Sequence, residues 1–234
     1  PEPVFKFCLG KLSKTYLEEK KKLCVLIARN KFSRHPKELY SERIKAIRWF
    51  EKNHPDDFDL FGVGWDRCLG NGLFKPFNIF DGGIRRIGDF LRKRTGKPNI
   101  FHALARSSCF IYSILHGSAC EYPSYRGPVV SVNAILRNYK FAICYENSVF
   151  PGWITERIFN CFLSGCVPVY LGDPNIYDKI PSGTFIDKKK FKTYEDLYVY
   201  IKNMADNEYQ KYIENIKRFM STEASRQFSA EYFA

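Results

Sequence analysis

No apolar stretch of this 234-residue chain approaches the ~20 residues that a membrane-spanning helix needs. None of its eight cysteines is spaced C-x-x-C, which argues against a zinc ribbon or a thioredoxin-type motif. Cys24, Cys144 and Cys161 sit inside apolar segments, where a thiol behaves as a small hydrophobe. Reduced cysteines in a cytosolic compartment are expected, with a Cys109–Cys120 or Cys68–Cys109 bridge as the alternative. There is no internal repeat, no low-complexity segment, no arginine-rich tract and no nucleic-acid-binding signature. A convincing metal motif is also lacking. Asp57-Phe58-Asp59 is formally a D-x-D, but it reads as a loop ahead of a strand at Leu60. The chain opens on Pro1-Glu2-Pro3-Val4-Phe5, neither an initiator Met nor a signal peptide, so a fragment or processed chain is expected.

What is present is a folded composition: 45% hydrophobic and 26% charged residues exclude a disordered chain. The net charge of +12 predicts attraction to polyanions, whether nucleic acid, an anionic membrane surface or a phosphorylated substrate. Its clusters, such as Lys20-Lys21-Lys22, Arg92-Lys93-Arg94 and Lys188-Lys189-Lys190, read as solvated helix ends and loops.

Leu23 to Ala28 is a short continuous apolar run, the mark of a strand buried on both faces in a parallel sheet. A helix is expected from His35-Pro36 to about Asn53, then a strand over Leu60–Gly64, which together make a βαβ unit. Ile84–Leu91 and Phe101–His116 suggest helices, and Tyr122–Pro128 a loop, all within an insertion spanning 65–138. Strands follow at Lys140–Tyr145, Cys166–Gly172 and Thr184–Asp187. Helices are expected at Thr155–Leu163, Tyr194–Ala205 and Glu208–Met220. This order predicts a Rossmann-like, doubly wound α/β domain over 23–234, with 1–22 as a remnant of, or link to, a second domain.

Between two of those elements lies Glu146-Asn147-Ser148, a turn at Pro151-Gly152, Trp153, and then Thr155-Glu156-Arg157 opening a helix. Ligands of such sheets bind beyond the carboxyl ends of the strands, near helix N-termini whose unpaired N–H groups suit a phosphate. Arg157 in a helix's first turn is unfavourable for that helix unless an anion arrives there to be gripped. Glu156 is placed to accept from a diol such as ribose. Asn147 can donate and accept, and Trp153 offers a flat face. The plainer alternative makes Thr155 an N-cap, Glu156 a compensating acid and Trp153 a packing aromatic. For Thr155 the cap is preferred.

The stretch "YKFAICYENSVFPGWITERIFNCFLSGCVPVYLGDPNI", residues 139–176, closely resembles the signature of the α-1,3/α-1,4-fucosyltransferase family. Weaker agreement runs upstream through Ala28-Arg29-Asn30 and "ELYSERIKAIRWF", and downstream through "IPSGTFID". Two departures stand out: Arg29-Asn30 replaces the usual Ser-Asn, and the 65–138 insertion is long. The resemblance implies an inverting, metal-independent glycosyltransferase of the GT-B architecture. It would use GDP-fucose as donor and a glycan bearing N-acetylglucosamine or glucose as acceptor, with no cofactor. Glu156 would hold the ribose, and Arg157 would take the place of the usual Lys on the diphosphate. Asn147, Trp153, Tyr145 and Asn30 would line the donor pocket. A second cation would come from Arg43, with Lys37 and Arg34 as rivals. The general base is expected outside the chain; Glu121 and Asp66 are candidates by exposure alone, and His54, His102 and His116 read as structural or solvent-facing.

The same resemblance leaves localisation split between cytoplasm or peripheral membrane for a microbial or viral source and Golgi lumen for a eukaryotic one. A GDP-sugar-binding domain without turnover is the alternative function. A basic module for nucleic acid or membranes explains the charge but not the Glu146-to-Arg157 constellation, and no nucleic acid partner is expected.

Overall fold

A computed structural model describes residues 20, 22–66 and 122–228. The chain runs β1 (Lys22–Ile27), α1 (Tyr40–Asn53), β2 (Phe58–Phe61), α2 (Val132–Leu136), β3 (Tyr139–Tyr145), α3 (Glu156–Leu163) and β4 (Val167–Leu171). It then continues through β5 (Ile186–Asp187), α4 (Tyr194–Lys202), α5 (Asp206–Met220) and α6 (Glu223–Arg226). The five strands form one sheet in the order β2-β1-β3-β4-β5, and every pairing is parallel.

Successive residues of a strand point to opposite faces, so the run of buried Cys24, Val25 and Leu26 means that both faces of β1 are covered. β3 repeats the pattern with buried Phe141, Ala142 and Ile143. Helix α1 presents Ala46, Ile47 and Phe50 to the sheet, and Phe50 stacks on Phe58 with ring centroids 4.8 Å apart. Trp49 of α1 meets Tyr194 and Tyr198 of α4. A second helical group joins α3 to α5, where Phe162 packs edge-on to Phe219. The Tyr209 hydroxyl of α5 donates to the carbonyls of Lys140 and Gly165 at 3.1 Å, tying that helix to β3 and to the end of α3. Each large apolar side chain buried this way contributes about 1.5–3 kcal/mol. The doubly wound α/β reading and its βαβ opening therefore hold.

Several expected boundaries move, three of them for reasons the contacts show. Helix α1 begins at Tyr40, not at His35-Pro36, because residues 37–39 pair with another segment. Glu38 bridges Ser148 antiparallel, the Leu39 N–H donates to Asn147 O at 2.9 Å, and the Val149 N–H donates to Lys37 O at 2.8 Å. Backbone groups spent on that pairing are not free to close a helical turn. Strand β2 starts at Phe58, so Asp59 lies within the sheet and not in a loop. It is 3% exposed and accepts from Lys22 Nζ, from Arg126 Nε at 2.6 Å and from the Tyr139 hydroxyl at 2.6 Å. Asp57 is held by Tyr198 and Lys202. Both carboxylates of the D-x-D are thus spent on structure. The last strand shrinks to two residues, since Thr184 closes a turn on Pro181 O.

The described ends of the expected insertion are part of the core. Trp65 is buried and donates to Ala28 O at 2.7 Å, and Leu60 exchanges backbone bonds with Ser124 and Arg126. The helices expected at 84–91 and 101–116, and Cys68, Cys109 and Cys120, lie outside the described residues. Cys24, Cys144, Cys161 and Cys166 are free and buried. Among the described residues no helix is long and apolar enough to cross a membrane.

Candidate functional site

From β1 the chain winds outward to β2, then returns to add β3 on the other side of β1. The loops leaving β1 and β3 therefore diverge, and that switch point is where sheets of this kind open a crevice. The loop after β1 ends in α1, which supplies Arg43; the loop after β3 ends in α3, which supplies Arg157.

Glu146 follows β3 directly, its N–H donating to Leu171 O at 2.8 Å, and it is fully buried. Its arm fits only because residue 172 is glycine: a Cβ there would lie 2.5 Å from Glu146 Cγ. The carboxylate accepts from the Thr155 N–H at 2.9 Å, from the Thr155 hydroxyl at 2.8 Å and from Arg157 Nη1 at 3.1 Å. Burial pushes the Glu146 carboxyl above its ordinary range, against the pull of Thr155 and Arg157. Thr155 occupies the N-cap position of α3 as expected, but its hydroxyl is spent on Glu146 and makes no capping bond. The first N–H groups of α3 are consequently left without the side-chain acceptor that an N-cap normally provides.

Asn147 is the hub. Its Oδ1 accepts from Arg157 Nη2 at 3.2 Å and from Arg43 Nη2 at 3.1 Å. The same Arg43 nitrogen also donates to Tyr145 O at 2.6 Å, and the guanidinium lies over the Tyr40 ring. Burial first, and the neighbouring charge of Arg157 second, lower the Arg43 pKa to about 10, which leaves it protonated at neutral pH. Within the hydrogen-bonded cluster, two guanidiniums against one carboxylate leave a net charge of +1 (two cations, Arg43 and Arg157, minus Glu146), and Glu156 lies exposed beside it on the first turn of α3. Arg157 retains 26% side-chain exposure, so this positive field reaches the surface.

The other expected site residues are placed around this cluster or away from it. Glu156 is exposed on the first turn of α3, and Trp153 is 48% exposed on the preceding loop. Lys37 and Arg34 are exposed on the loop that pairs with 147–149. Asn30 is committed elsewhere: its side-chain amide donates to Gly64 O at 3.0 Å, joining the loops after β1 and β2. The Tyr145 ring is sealed in the core, so only its carbonyl faces Arg43. His54 stacks on Tyr198 at 3.5 Å, a structural role as expected. Asp66 is exposed, while Glu121, His102 and His116 lie outside the described residues.

The sequence reading assigned no role to two buried carboxylates, Glu146 and Asp173. Asp173 is 1% exposed and accepts from Gly152 N at 3.0 Å and from Asn175 N at 2.9 Å. The available signal was their position, since Glu146 directly follows β3, Asp173 follows β4 after Gly172, and each lies beside Gly172 in space or in sequence. Among the described residues no group of three or more His, Cys, Asp or Glu side chains could hold a metal ion.

Residues 114–232 match the family model described as glycosyltransferase family 10 (fucosyltransferase), C-terminal part. That match spans just over half of the chain, and the chain belongs to this family. It is 33% identical over 76 residues to an alpha-(1,4)-fucosyltransferase of Arabidopsis thaliana, covering 32% of this chain and 19% of that protein. It is 36% identical over 107 residues to a GDP-fucose protein O-fucosyltransferase 3 of Xenopus laevis, covering 42% of this chain and 23% of that protein. The aligned regions thus amount to about a fifth of the length of these curated relatives. A solved α1,3-fucosyltransferase with GDP-fucose overlays with a TM-score of 0.48 at 16% identity, over 87% of this chain and 46% of that one.

Proposed function

We propose that this chain is the donor-binding part of an inverting fucosyltransferase of GT-B type, which moves fucose from GDP-fucose to a hydroxyl of an N-acetylglucosamine- or glucose-containing glycan. The observation that carries the reading is the convergence of Arg43 and Arg157 on Asn147 Oδ1 at the mouth of α3. A nucleoside diphosphate seated there would meet the partly exposed Arg157 guanidinium and the uncapped N–H groups of the helix, with the buried charge of Arg43 behind them. Glu156, exposed on the same first turn, would accept from the ribose hydroxyls, and Trp153 would offer its face to the ligand. Lys37 would add charge at the rim. Asn30 and the Tyr145 carbonyl would act indirectly, the first by fixing the loop after β1, the second by aiming Arg43.

The chemistry is a displacement. The acceptor oxygen attacks the anomeric carbon, the bond to the diphosphate breaks, and its electron pair leaves on GDP. Arg43, Arg157 and the helix N–H groups stabilise the departing charge, so no metal is required. The acceptor proton passes to a carboxylate that this reading places outside the described residues.

The test is a nucleotide panel (GDP, UDP, CMP, ADP) read by thermal shift. GDP at 100 times its dissociation constant contributes ~2.7 kcal/mol, which raises the Tm of a domain this size by about 5–10 °C. Glu156→Ala or Arg157→Ala should remove most of that shift, and equal shifts from all four nucleotides would refute the assignment. A second reading is GDP-sugar binding without turnover. Binding of GDP without transfer from GDP-fucose to a lactosamine-type acceptor would select it.

A further inference from the structure

The loop 147–155 is fastened at three points. Its start pairs with residues 37–39, its end is held by Glu146 through Thr155, and its middle is held by Asp173 through Gly152. The first two fastenings flank the arginines. The third makes no hydrogen bond or ion pair to either arginine among the described residues.

Asp173 is a carboxylate with 1% exposure and, among the described residues, no ion-pair partner. Burying such a group is costly unless hydrogen bonds replace water. Its bond to Asn175 N is local, a turn two residues long that many surface Asp residues make. Its bond to Gly152 N crosses to a different loop, 21 residues away in sequence. Asp173's own N–H donates to the Tyr170 hydroxyl at 3.0 Å, which fixes the carboxylate from behind.

What that bond immobilises is a segment with little packing of its own. Phe150 and Trp153 are 55% and 48% exposed, so their rings anchor nothing. Gly152 adopts φ +79°, and the backbone N–H groups of Trp153 and Ile154 make tight turn bonds to Phe150 O and Gly152 O at 3.1 Å, with Ile154 alone of these side chains packed against the core. A buried acid that holds one amide in an otherwise exposed aromatic loop is holding the loop in place for something that arrives.

We infer that Asp173 is a positioning residue for the ligand: through the Gly152 amide it fixes the Trp153 ring in the orientation that meets a bound nucleotide. The inference rests on the donor-binding reading above. Asp173 itself touches no ligand. Its contribution is preorganisation, removing from the binding equilibrium the cost of ordering Trp153.

The test uses the purified chain, GDP as the probe, and four variants: Asp173→Ala, Asp173→Ser, Trp153→Phe, and the last combined with Asp173→Ser. Serine keeps an oxygen that can serve Asn175 but is too short to reach Gly152, so the local turn survives while the long bond is lost. Should the alanine variant fail to fold, the serine variant decides. Trp65 is buried and Trp49 is half-buried, so the quenchable indole emission is chiefly that of Trp153. The expected results are a clear rise in acrylamide quenching without ligand and about tenfold weaker GDP binding for Asp173→Ser. In the Trp153→Phe background the same change should weaken GDP binding less than threefold.

Unchanged quenching or unchanged GDP affinity in Asp173→Ser overturns the inference. So does an equal loss of affinity with and without Trp153. If the unmutated chain itself fails to bind GDP, the donor-binding reading falls, while quenching still reports whether Asp173 holds the loop.

Discussion

Arg43 and Arg157, which reach the site from different helices, donate to the same atom, Asn147 Oδ1, at 3.1 and 3.2 Å. Two like charges are thereby held together around a neutral acceptor, with one buried carboxylate behind only one of them. An arrangement like this is expensive for folding and favourable for an incoming anion. Asn147 is the natural place to separate the two effects.

Replacing Asn147 with Asp turns the shared amide oxygen into a carboxylate, and the cluster's +1 becomes zero. The folded protein without ligand should be as stable as before or more so, because both guanidiniums gain a charged acceptor. Nucleotide binding should fall by at least tenfold, since the site no longer offers a surplus cation. A thermal melt without ligand and a GDP titration check the two halves. A protein that loses both stability and binding would show that Asn147 is needed as an amide for its shape alone.

Glu146 gives a pH dependence of definite sign. Burial, first among its influences, raises its folded pKa above the ordinary 4.5, so the folded state binds the extra proton. Its contribution to stability therefore declines as pH rises from the ordinary value through the folded value, and is flat on either side. Glu146→Gln should abolish that decline, measurable by chemical denaturation across the acid range. Glu146→Ala should do worse, costing about 1–3 kcal/mol, because it leaves Arg157 Nη1 and both Thr155 donors without their acceptor. Identical pH profiles for the Gln variant and the parent protein would assign the decline to other groups.

Asp59 runs the opposite way. Burial by itself would raise its pKa, but hydrogen bonds from Lys22, Tyr139 and Arg126 outweigh it and hold the carboxyl below 3.8. Its stabilisation is present above that ordinary value and is lost as pH falls through the lower folded value. Asp59→Asn should lower stability at neutral pH and flatten the loss of stability below about pH 4. Since Arg126 ties the 122–128 segment to β2 through this carboxylate, cleavage by protease in that segment should also speed up. Unchanged acid sensitivity in the variant would contradict the assignment.

These residues also mark how far the sequence alone reached. The strands were legible where burial on both faces writes itself as a continuous apolar run, as in Cys24–Leu26 and Phe141–Ile143. Asn147 and Arg157 could be placed together because one strand–loop–helix stretch contains both. The start of α1 was misjudged because Pro36 is a good first-turn residue, whereas the competing partner, residues 147–149, lies far along the chain. Arg43 was reachable only through the family resemblance, since nothing local shows that a helix after β1 will meet a loop after β3. Glu146 and Asp173 look like ordinary loop acids in one dimension. Their burial depends on Gly172 and on donors from Thr155, Arg157 and Gly152 arriving in three.

Gly172 supplies the last prediction. Its Cβ position is taken up by Glu146 Cγ at 2.5 Å and by the Tyr170 hydroxyl at 2.6 Å. Neither neighbour is the free end of a flexible chain: Glu146 is bonded to Thr155 and Arg157, and the Tyr170 hydroxyl accepts from Asp173 N. Gly172→Ala must therefore displace Glu146 or the Tyr170 hydroxyl that holds the Asp173 backbone. Overpacking of this kind costs about 1–3 kcal/mol. The loss should be larger in GDP affinity than an equally destabilising core change such as Ile213→Val produces. Comparing the two variants at matched stability separates a strained core from a disturbed site, and equal GDP affinities would place Gly172 in the core alone.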